Sequence, residues 1–566
     1  MKIDRLKQKQ FIQDELKVQT DAFKQKLETS ALDLLLEKNE VFVGMFIKFM
    51  DNGEVLFKFP VSRALPRKNS HYYCFTLPDV LKRYKDWGNL TYGDLIKKET
   101  SATSIKCVWH ASSDNPKFML IGCKGVTDDF KKYIEKVPGG IIVFGPEVPP
   151  YEYLANLEKV CHSYHPKCME ILDADYEFNP WTPSLLSHDM NLSDIVLEDF
   201  KNTDVVIVQG PPGTGKTYRI SQLCEILCVN GFSVLVTALT NRALIEVADK
   251  LRETLIKELK VYKTNLTIDE AKEVNGIQNA ENVYAIPGKL MLSTFYIASG
   301  SVVNGYESPL FDFVIVDEAS QAFFAMLAAA NMLGHKNLWV GDVFQMPPIV
   351  LMSNDRIRKQ GYEPLVNGLN TLTSSMRFPN YQLSDTFRLG VNAAKLTGLF
   401  YKGTLRSLSK ISNIFLDEKE GPILIPLDMP IGDPIPIIAI KEATRIASDL
   451  MRKNKKIEIA ILSLLVKTVT ALQVEVARTI GNANNILVET VARVQGITKD
   501  VTIYVIPNTD SMVHSLELRL FNVATSRARK NTYIICPKNI LNYTYMAPLV
   551  REYLVNLIEN VNSKYE

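Results

Sequence analysis

An apolar, β-branched run that ends in a glycine-rich loop and passes into a helix constrains this chain more than any other feature: "DVVIVQGPPGTGKTYRISQLCEIL". In "GPPGTGKT" the glycines let backbone N–H groups close around phosphates, Lys216 reaches the terminal phosphates, and the Thr217 hydroxyl ligates Mg2+. Such a loop works only between the end of a buried parallel strand and the start of a helix, so the chain must contain an open α/β sheet. The expected nucleotide contacts are Gly210, Pro211, Pro212, Gly213, Thr214, Gly215, Lys216 and Thr217. ATP and Mg2+ are the cofactors implied. The loop by itself establishes only nucleotide binding, because kinases, switches and motors share it.

The rest of the chain supplies that sheet and a second one. "VVIVQG", "FSVLVTA", "FDFVIVDEAS" and "KNLWVGD" alternate with helical segments, as parallel strands covered on both faces do. A second series follows in "IIAIK", "IEIAILSLL", "NNILVET", "DVTIYVIP" and "NTYIICP". Two tandem α/β domains are predicted, residues 201–385 and 386–566. Ahead of them, polar residues alternate with Ile12, Leu16, Phe23 and Leu27 at helical spacing, predicting one long helix within residues 1–40. Two strand pairs turning at Asn52-Gly53 and at Asp114–Pro116 predict a small β-barrel over residues 41–148. Residues 149–200 read as a returning helix, "YEYLANLEKVCH", and a linker. A chain of 566 residues has room for these units.

Composition narrows the partners. With 46% hydrophobic and 23% charged residues the chain is no disordered tail, and 65 basic against 63 acidic residues, a net charge of +2, give no global field. A nucleic-acid partner must therefore meet a local groove. No apolar run is long enough for a membrane span, and "MKIDRLKQKQFIQDEL" lacks a signal-peptide core, so an intracellular protein is expected. Eight cysteines without a C-x-x-C pair suit a reducing compartment. "CHSYHPKC" gathers four potential zinc ligands, Cys161, His162, His165 and Cys168. Pro166 interrupts any helix that would align them, and ordinary packing is the expected role.

Two further strand ends carry chemistry. Asp317 at the tip of "FDFVIVDEAS" can hold Mg2+, and Glu318 beside it can polarise an attacking water. "LWVGDVFQMPPI" ends in Gly341-Asp342, with Gln345 on the next turn placed to sense a γ-phosphate through its amide.

In this order the motifs resemble the superfamily-1 helicases of the up-frameshift type, over about residues 205–540. "TALTNRAL" and "LSTFYIASG" match that family's first two nucleic-acid segments, and "LSDTFRLG" the segment whose arginine meets the γ-phosphate, here Arg388. "LFYKGTLRSL" repeats its aromatic and glycine pattern at Phe400, Tyr401, Gly403 and Leu405. "TVARVQGITKD" matches the coupling motif centred on Gln495-Gly496, and "LFNVATSRARKNTYII" puts Arg527 at the arginine finger. The resemblance implies two RecA-like domains, catalytic Lys216, Glu318, Gln345, Arg388 and Arg527, and nucleotide contacts from Phe387 and Gly496. It also implies 5'-to-3' movement on single-stranded DNA or RNA by a monomeric motor, and a stalk-and-barrel module before the motor.

Thr240, Asn241, Ser293, Thr294 and Thr490 are small polar residues suited to phosphate contacts that carry no sequence information. Capping of helix starts is the other role such residues fill. The chain departs from the family at four points: no adenine-reading glutamine precedes the phosphate loop, Phe387 replaces a tyrosine, and Ala492 and Thr498 stand where aspartate and glutamate are common. A small-molecule phosphotransferase has no use for the later motifs. An ATP-gated clamp that grips a strand without unwinding it shares all of them.

Overall fold

The computed structural model describes residues 4–562 except 62–64, 67–69, 78–80, 82, 98–100, 137–139, 150, 179–181, 305–306, 411–420, 482–484 and 495. Gln495 of the coupling motif therefore lies outside the described residues.

Nine parallel strands build the first α/β body. From edge to edge they are Gln278–Ala280, Val261–Thr264, Leu290–Thr294, Val234–Ala238, Phe311–Val316, Gly334–Gly341, Val205–Gln209, Asn380–Leu383 and Ser184–Leu186. The phosphate-loop strand shows why the sheet is interior: Val205 and Ile207 enter one apolar cluster, Val206 and Val208 the other, and all are fully buried. Alternate side chains point to opposite faces, so both faces must be covered. The last strand, Ser184–Leu186, comes from the segment expected as a linker, so this sheet starts ahead of residue 201 in the chain.

The second body repeats the plan with five parallel strands in the order Ile423–Leu427, Ala528–Pro537, Lys499–Val505, Ile459–Ser463 and Ile486–Thr490. One expected strand is corrected here: "IIAIK" opens the helix Ile437–Lys453. Ala439, Ile440, Ala443, Ile446, Ala447 and Leu450 bury one face at helical spacing, a period invisible in five residues. The edge strand is Ile423–Leu427 instead.

The amino-terminal module has the expected form. Strands Phe42–Phe49, Val55–Pro60, Phe118–Lys124, Ala102–Ser112, His71–Thr76 and Ile141–Glu147 close into a barrel. The helix Arg5–Thr29 packs along Tyr151–Val160 and is built into the first body's core. Phe11 meets Phe323 and Tyr362 ring to ring, and the buried Glu15 carboxylate accepts the N–H groups of Leu351 and Met352 at 2.8 and 3.1 Å.

Three of the four candidate zinc ligands are engaged in packing or capping, and His162 is exposed. Cys161 and Cys168 are buried in the apolar cluster, Cys168 donates to the Val160 carbonyl, and the His165 ring caps the helix Pro166–Leu172 by accepting from Lys167 N–H. Among the described residues no cluster could hold a metal through His, Cys, Asp and Glu, and no helix is long and apolar enough to cross a membrane.

Candidate nucleotide cleft and strand face

The phosphate loop leaves the carboxyl end of Val205–Gln209 and turns into the helix Lys216–Val229. Gly213 and Gly215 have φ of 75° and 79°, a region open to glycine at little cost. Glycine is also required by space: a Cβ on Gly210 would lie 2.2 Å from Lys216 Cγ, and one on Gly213 2.4 Å from Arg388 Cβ. The cradle is therefore bare backbone, with the sheet held behind it by Gly210 N–H donating to Gly341 C=O at 2.8 Å. Lys216 Nζ arches over the loop to the Gly210 carbonyl at 2.7 Å.

Asp317 and Glu318 follow the strand Phe311–Val316. Asp317 is almost fully buried and accepts Glu318 N–H at 2.8 Å. Burial first, and then the Glu318 charge, push its carboxyl up to about 7, with Lys216 pulling the other way. A hard oxygen pair, Thr217 hydroxyl and Asp317 carboxylate, suits Mg2+, whose charge would offset that desolvation. Glu318 holds φ of 52°, the left-handed region that a glutamate seldom adopts, and such local strain is characteristic of functional turns.

Asp342 and Gln345 sit on the neighbouring turn. Asp342 is fully buried; its Oδ1 accepts from Gln209 Nε2 at 2.6 Å and from Phe344 N–H at 3.1 Å, and its Oδ2 from Gln345 Nε2 at 2.7 Å. Gln345 Oε1 in turn accepts from Arg527 Nη2 at 3.0 Å. That bond crosses from one α/β body to the other.

The two arginines converge on the same place. Arg388 stands against Gly213, and its Nη1 donates to the Ser526 carbonyl at 3.2 Å, one residue before Arg527. Arg527, itself buried, is braced by Nε donating to Val523 C=O at 3.0 Å. Among the described residues neither guanidinium hydrogen-bonds a carboxylate. Desolvation lowers the affinity of both for their proton, and with Arg527 close by it brings Arg388 down to about 9. Two cations held this way favour an anion between them and the phosphate loop.

Phe387 lies at the mouth of the cleft, half exposed, with its N–H donating to Gly213 C=O at 2.9 Å and the His188 ring edge-on at 6.4 Å. Gly496 has φ of 78°, and a Cβ there would come within 4.0 Å of Glu246 Oε1. Glu246 thus faces the coupling motif, and burial raises its carboxyl.

The expected strand contacts also lie at carboxyl ends of parallel strands: Thr240, Asn241, Ser293 and Thr294 in the first body, Thr490 in the second. Most are occupied internally. Thr240 caps the helix Asn241–Asp249 by accepting Ala243 N–H, and Asn241 Oδ1 accepts from the buried Lys263 Nζ at 2.9 Å. Ser293 is fully buried and shares a hydrogen bond with Thr264 Oγ1 at 2.9 Å. Thr294 stands at the N-cap of Phe295–Val302 without a side-chain capping bond, and the bond of Thr490 to Glu489 is made by its backbone N–H.

Sequence reasoning gave no task to Gln209, Glu246, Asp342, Tyr401, Arg519 or Asn522. Gln209, Asp342, Tyr401 and Asn522 stand inside "VVIVQG", "LWVGDVFQMPPI", "LFYKGTLRSL" and "LFNVATSRARKNTYII". Asn522, flanked by Leu520, Phe521, Val523 and Ala524, carries a local signal of a buried polar task, and Glu246 and Arg519 lie outside those motifs.

Against known proteins, the AAA domain family profile matches residues 194–351. The DNA replication ATP-dependent helicase/nuclease DNA2 of Saccharomyces cerevisiae is 29% identical over 198 residues, which is 33% of this chain and 13% of that protein. An uncharacterized ATP-dependent helicase of Methanocaldococcus jannaschii is 25% identical over 313 residues, 51% of this chain and 44% of its own. Among solved structures, the arterivirus nonstructural protein 10 helicase aligns over 89% of this chain and 79% of its own at 13% identity and a TM-score of 0.37. The chain thus spans less than half the length of the curated relatives named here.

Proposed function

We propose that this chain, similar over part of its length to ATP-dependent helicases, is an ATP-driven translocase on single-stranded nucleic acid of the superfamily-1, up-frameshift type, moving 5' to 3'. The observation that carries the proposal is the convergence of Lys216, Arg388 and Arg527 on a bare glycine cradle, with no carboxylate hydrogen-bonded to either arginine among the described residues.

Lys216 neutralises the terminal phosphates, and Glu318 orients water and takes its proton. Mg2+ held by Thr217 and Asp317 would draw charge from the phosphate oxygens. Arg388 and Arg527 stabilise the negative charge that spreads over the γ-phosphate oxygens, a contribution of about 10^3-fold or more in rate. Gln345 touches both the phosphate side and Arg527, so hydrolysis loosens the tie between the bodies. Each body grips the strand at the carboxyl ends of its own sheet, and opening the cleft advances one grip past the other.

Lys216→Ala and Glu318→Gln are expected to abolish strand-stimulated ATP hydrolysis; normal stimulated turnover in either would refute the assignment. Displacement of 5'-tailed and 3'-tailed duplexes, each in DNA and RNA, tests movement, direction and sugar together. Hydrolysis without displacement on any of them supports the gated clamp, which uses the same cleft.

A further inference from the structure

The helix Leu518–Thr525 of the second body docks on the Asp342–Gln345 turn of the first through two side chains of its own, Arg519 and Asn522. Arg519 Nε donates to Val343 C=O at 3.1 Å, and Asn522 Nδ2 donates to Phe344 C=O at 2.8 Å. Asn522 Nδ2 also donates to Tyr401 OH at 2.8 Å, and Tyr401 OH donates to Asp342 Oδ2 at 2.7 Å. All three of these groups are at most 1% exposed. The Phe344 ring stands edge-on to Tyr401 at 5.3 Å, and Phe344 and Met346 pack against the second body's core.

Two of the polar ties between the bodies converge on Asp342. One, Gln345 to Arg527, is at the phosphate side. The other, Asp342 to Tyr401 to Asn522, is sealed from solvent, and among the described residues it is hydrogen-bonded to the residues assigned to the nucleotide only through Gln345. Both meet at one atom, since Asp342 Oδ2 accepts from Gln345 and from Tyr401. Arg527 stands two residues beyond the helix that carries Asn522 and is braced on that helix at Val523.

We propose that Tyr401 and Asn522 are a positioning pair: they pin the Asp342 turn to the helix Leu518–Thr525 and so set where Arg527 stands relative to Gln345 and the phosphate loop. This rests on the proposed function, since it assigns the pair to the same hydrolysis. Tyr401 is aimed by the turn after it, where Lys402 and Gly403 hold φ of 54° and 74°. The tie is made of hydrogen bonds to a buried carboxylate, which are strong and directional, so losing one shifts the finger without unmaking the apolar contact.

The test is Tyr401→Phe, which keeps the ring and removes the hydroxyl. Strand-stimulated kcat is expected to fall about tenfold, with nucleotide affinity and Tm little changed. Because the pair acts through Arg527, adding Tyr401→Phe to Arg527→Ala is expected to cost nothing further, whereas a purely structural role would add its full loss. Asn522→Ala should behave alike, and its loss should overlap that of Tyr401→Phe rather than add to it. Stimulated turnover in Tyr401→Phe within twofold of the unsubstituted protein, or full additivity with Arg527→Ala, overturns the pair alone. Absence of any stimulated hydrolysis in the unsubstituted protein overturns the function and the pair with it.

Discussion

The nucleotide cleft and the strand face were both read from polar residues at the ends of parallel strands, yet they are built in opposite ways. In the cleft, Lys216, Arg388 and Arg527 make hydrogen bonds to carbonyls and to one amide. On the strand face, Thr240, Asn241 and Ser293 give their polar atoms to a helix N-terminus, a buried lysine and a neighbouring hydroxyl. A desolvated cation without a bound carboxylate is costly, and a fold keeps it only where a ligand supplies the counter-charge. A capped helix stabilises itself. A buried cation that no carboxylate hydrogen-bonds is therefore a better sign of a ligand than polarity in a suitable place.

The sharpest way to break this comparison is Arg527→Ala. It is expected to lower strand-stimulated turnover by about 10^3-fold, some 4 kcal/mol in the barrier, with little loss of Tm, because no ion pair is broken. Stopped-flow hydrolysis and a thermal melt on the same preparation read both quantities. A large drop in Tm with modest loss of turnover would make the arginine structural.

The opposite pattern is expected of Lys263. Its buried ammonium reaches Glu270 at 3.2 Å and Asn241 at 2.9 Å, and burial lowers its proton affinity. Lys263→Met leaves Asn241 Oδ1 without its donor and the Glu270 carboxylate without its counter-charge, at a cost of about 3 kcal/mol in unfolding free energy. Denaturant titration checks this, and strand affinity measured well below the transition is expected to change less than the stability does.

How much of this was legible in the sequence follows from the reach of each interaction. The strand, loop and helix around Lys216 are contiguous, and Gly213 and Gly215 announce their own backbone geometry. The strand order of the large sheet was not legible at its edges, because three residues such as Ser184–Leu186 carry no period. "IIAIK" misled for the same reason. Tyr401 lies 59 residues from Asp342 and 121 from Asn522, and no local pattern links them. The motif order supplied the arginines; only the fold brings Glu246 near Arg388 and Gln209 onto Asp342.

Asp317 gives a pH test of the cleft. Its carboxyl stands at about 7 where an ordinary aspartate is near 3.8, raised chiefly by burial. Below that point it holds a proton and is a poor ligand for a cation, so at limiting Mg2+ turnover is expected to fall about tenfold per pH unit. Since only the carboxylate binds the ion, raising Mg2+ must move this acid limb to lower pH. A limb that stays fixed over a hundredfold range of Mg2+ would assign it to another group.

The smallest effect is expected on the strand face. Thr240 accepts Ala243 N–H at the start of Asn241–Asp249, and Thr240→Ala removes that cap at a cost of about 1 kcal/mol. Thr240→Ser keeps the hydroxyl and should restore stability. If Thr240 serves only the helix, strand affinity follows stability through both substitutions. If it also holds a phosphate, the alanine variant loses affinity at temperatures where it is fully folded, and the loss lessens with rising salt as electrostatic contacts weaken throughout. Fluorescence anisotropy with a labelled oligonucleotide at two salt concentrations separates these outcomes, and a loss in the folded alanine variant would give the strand face a ligand contact that its capping geometry conceals.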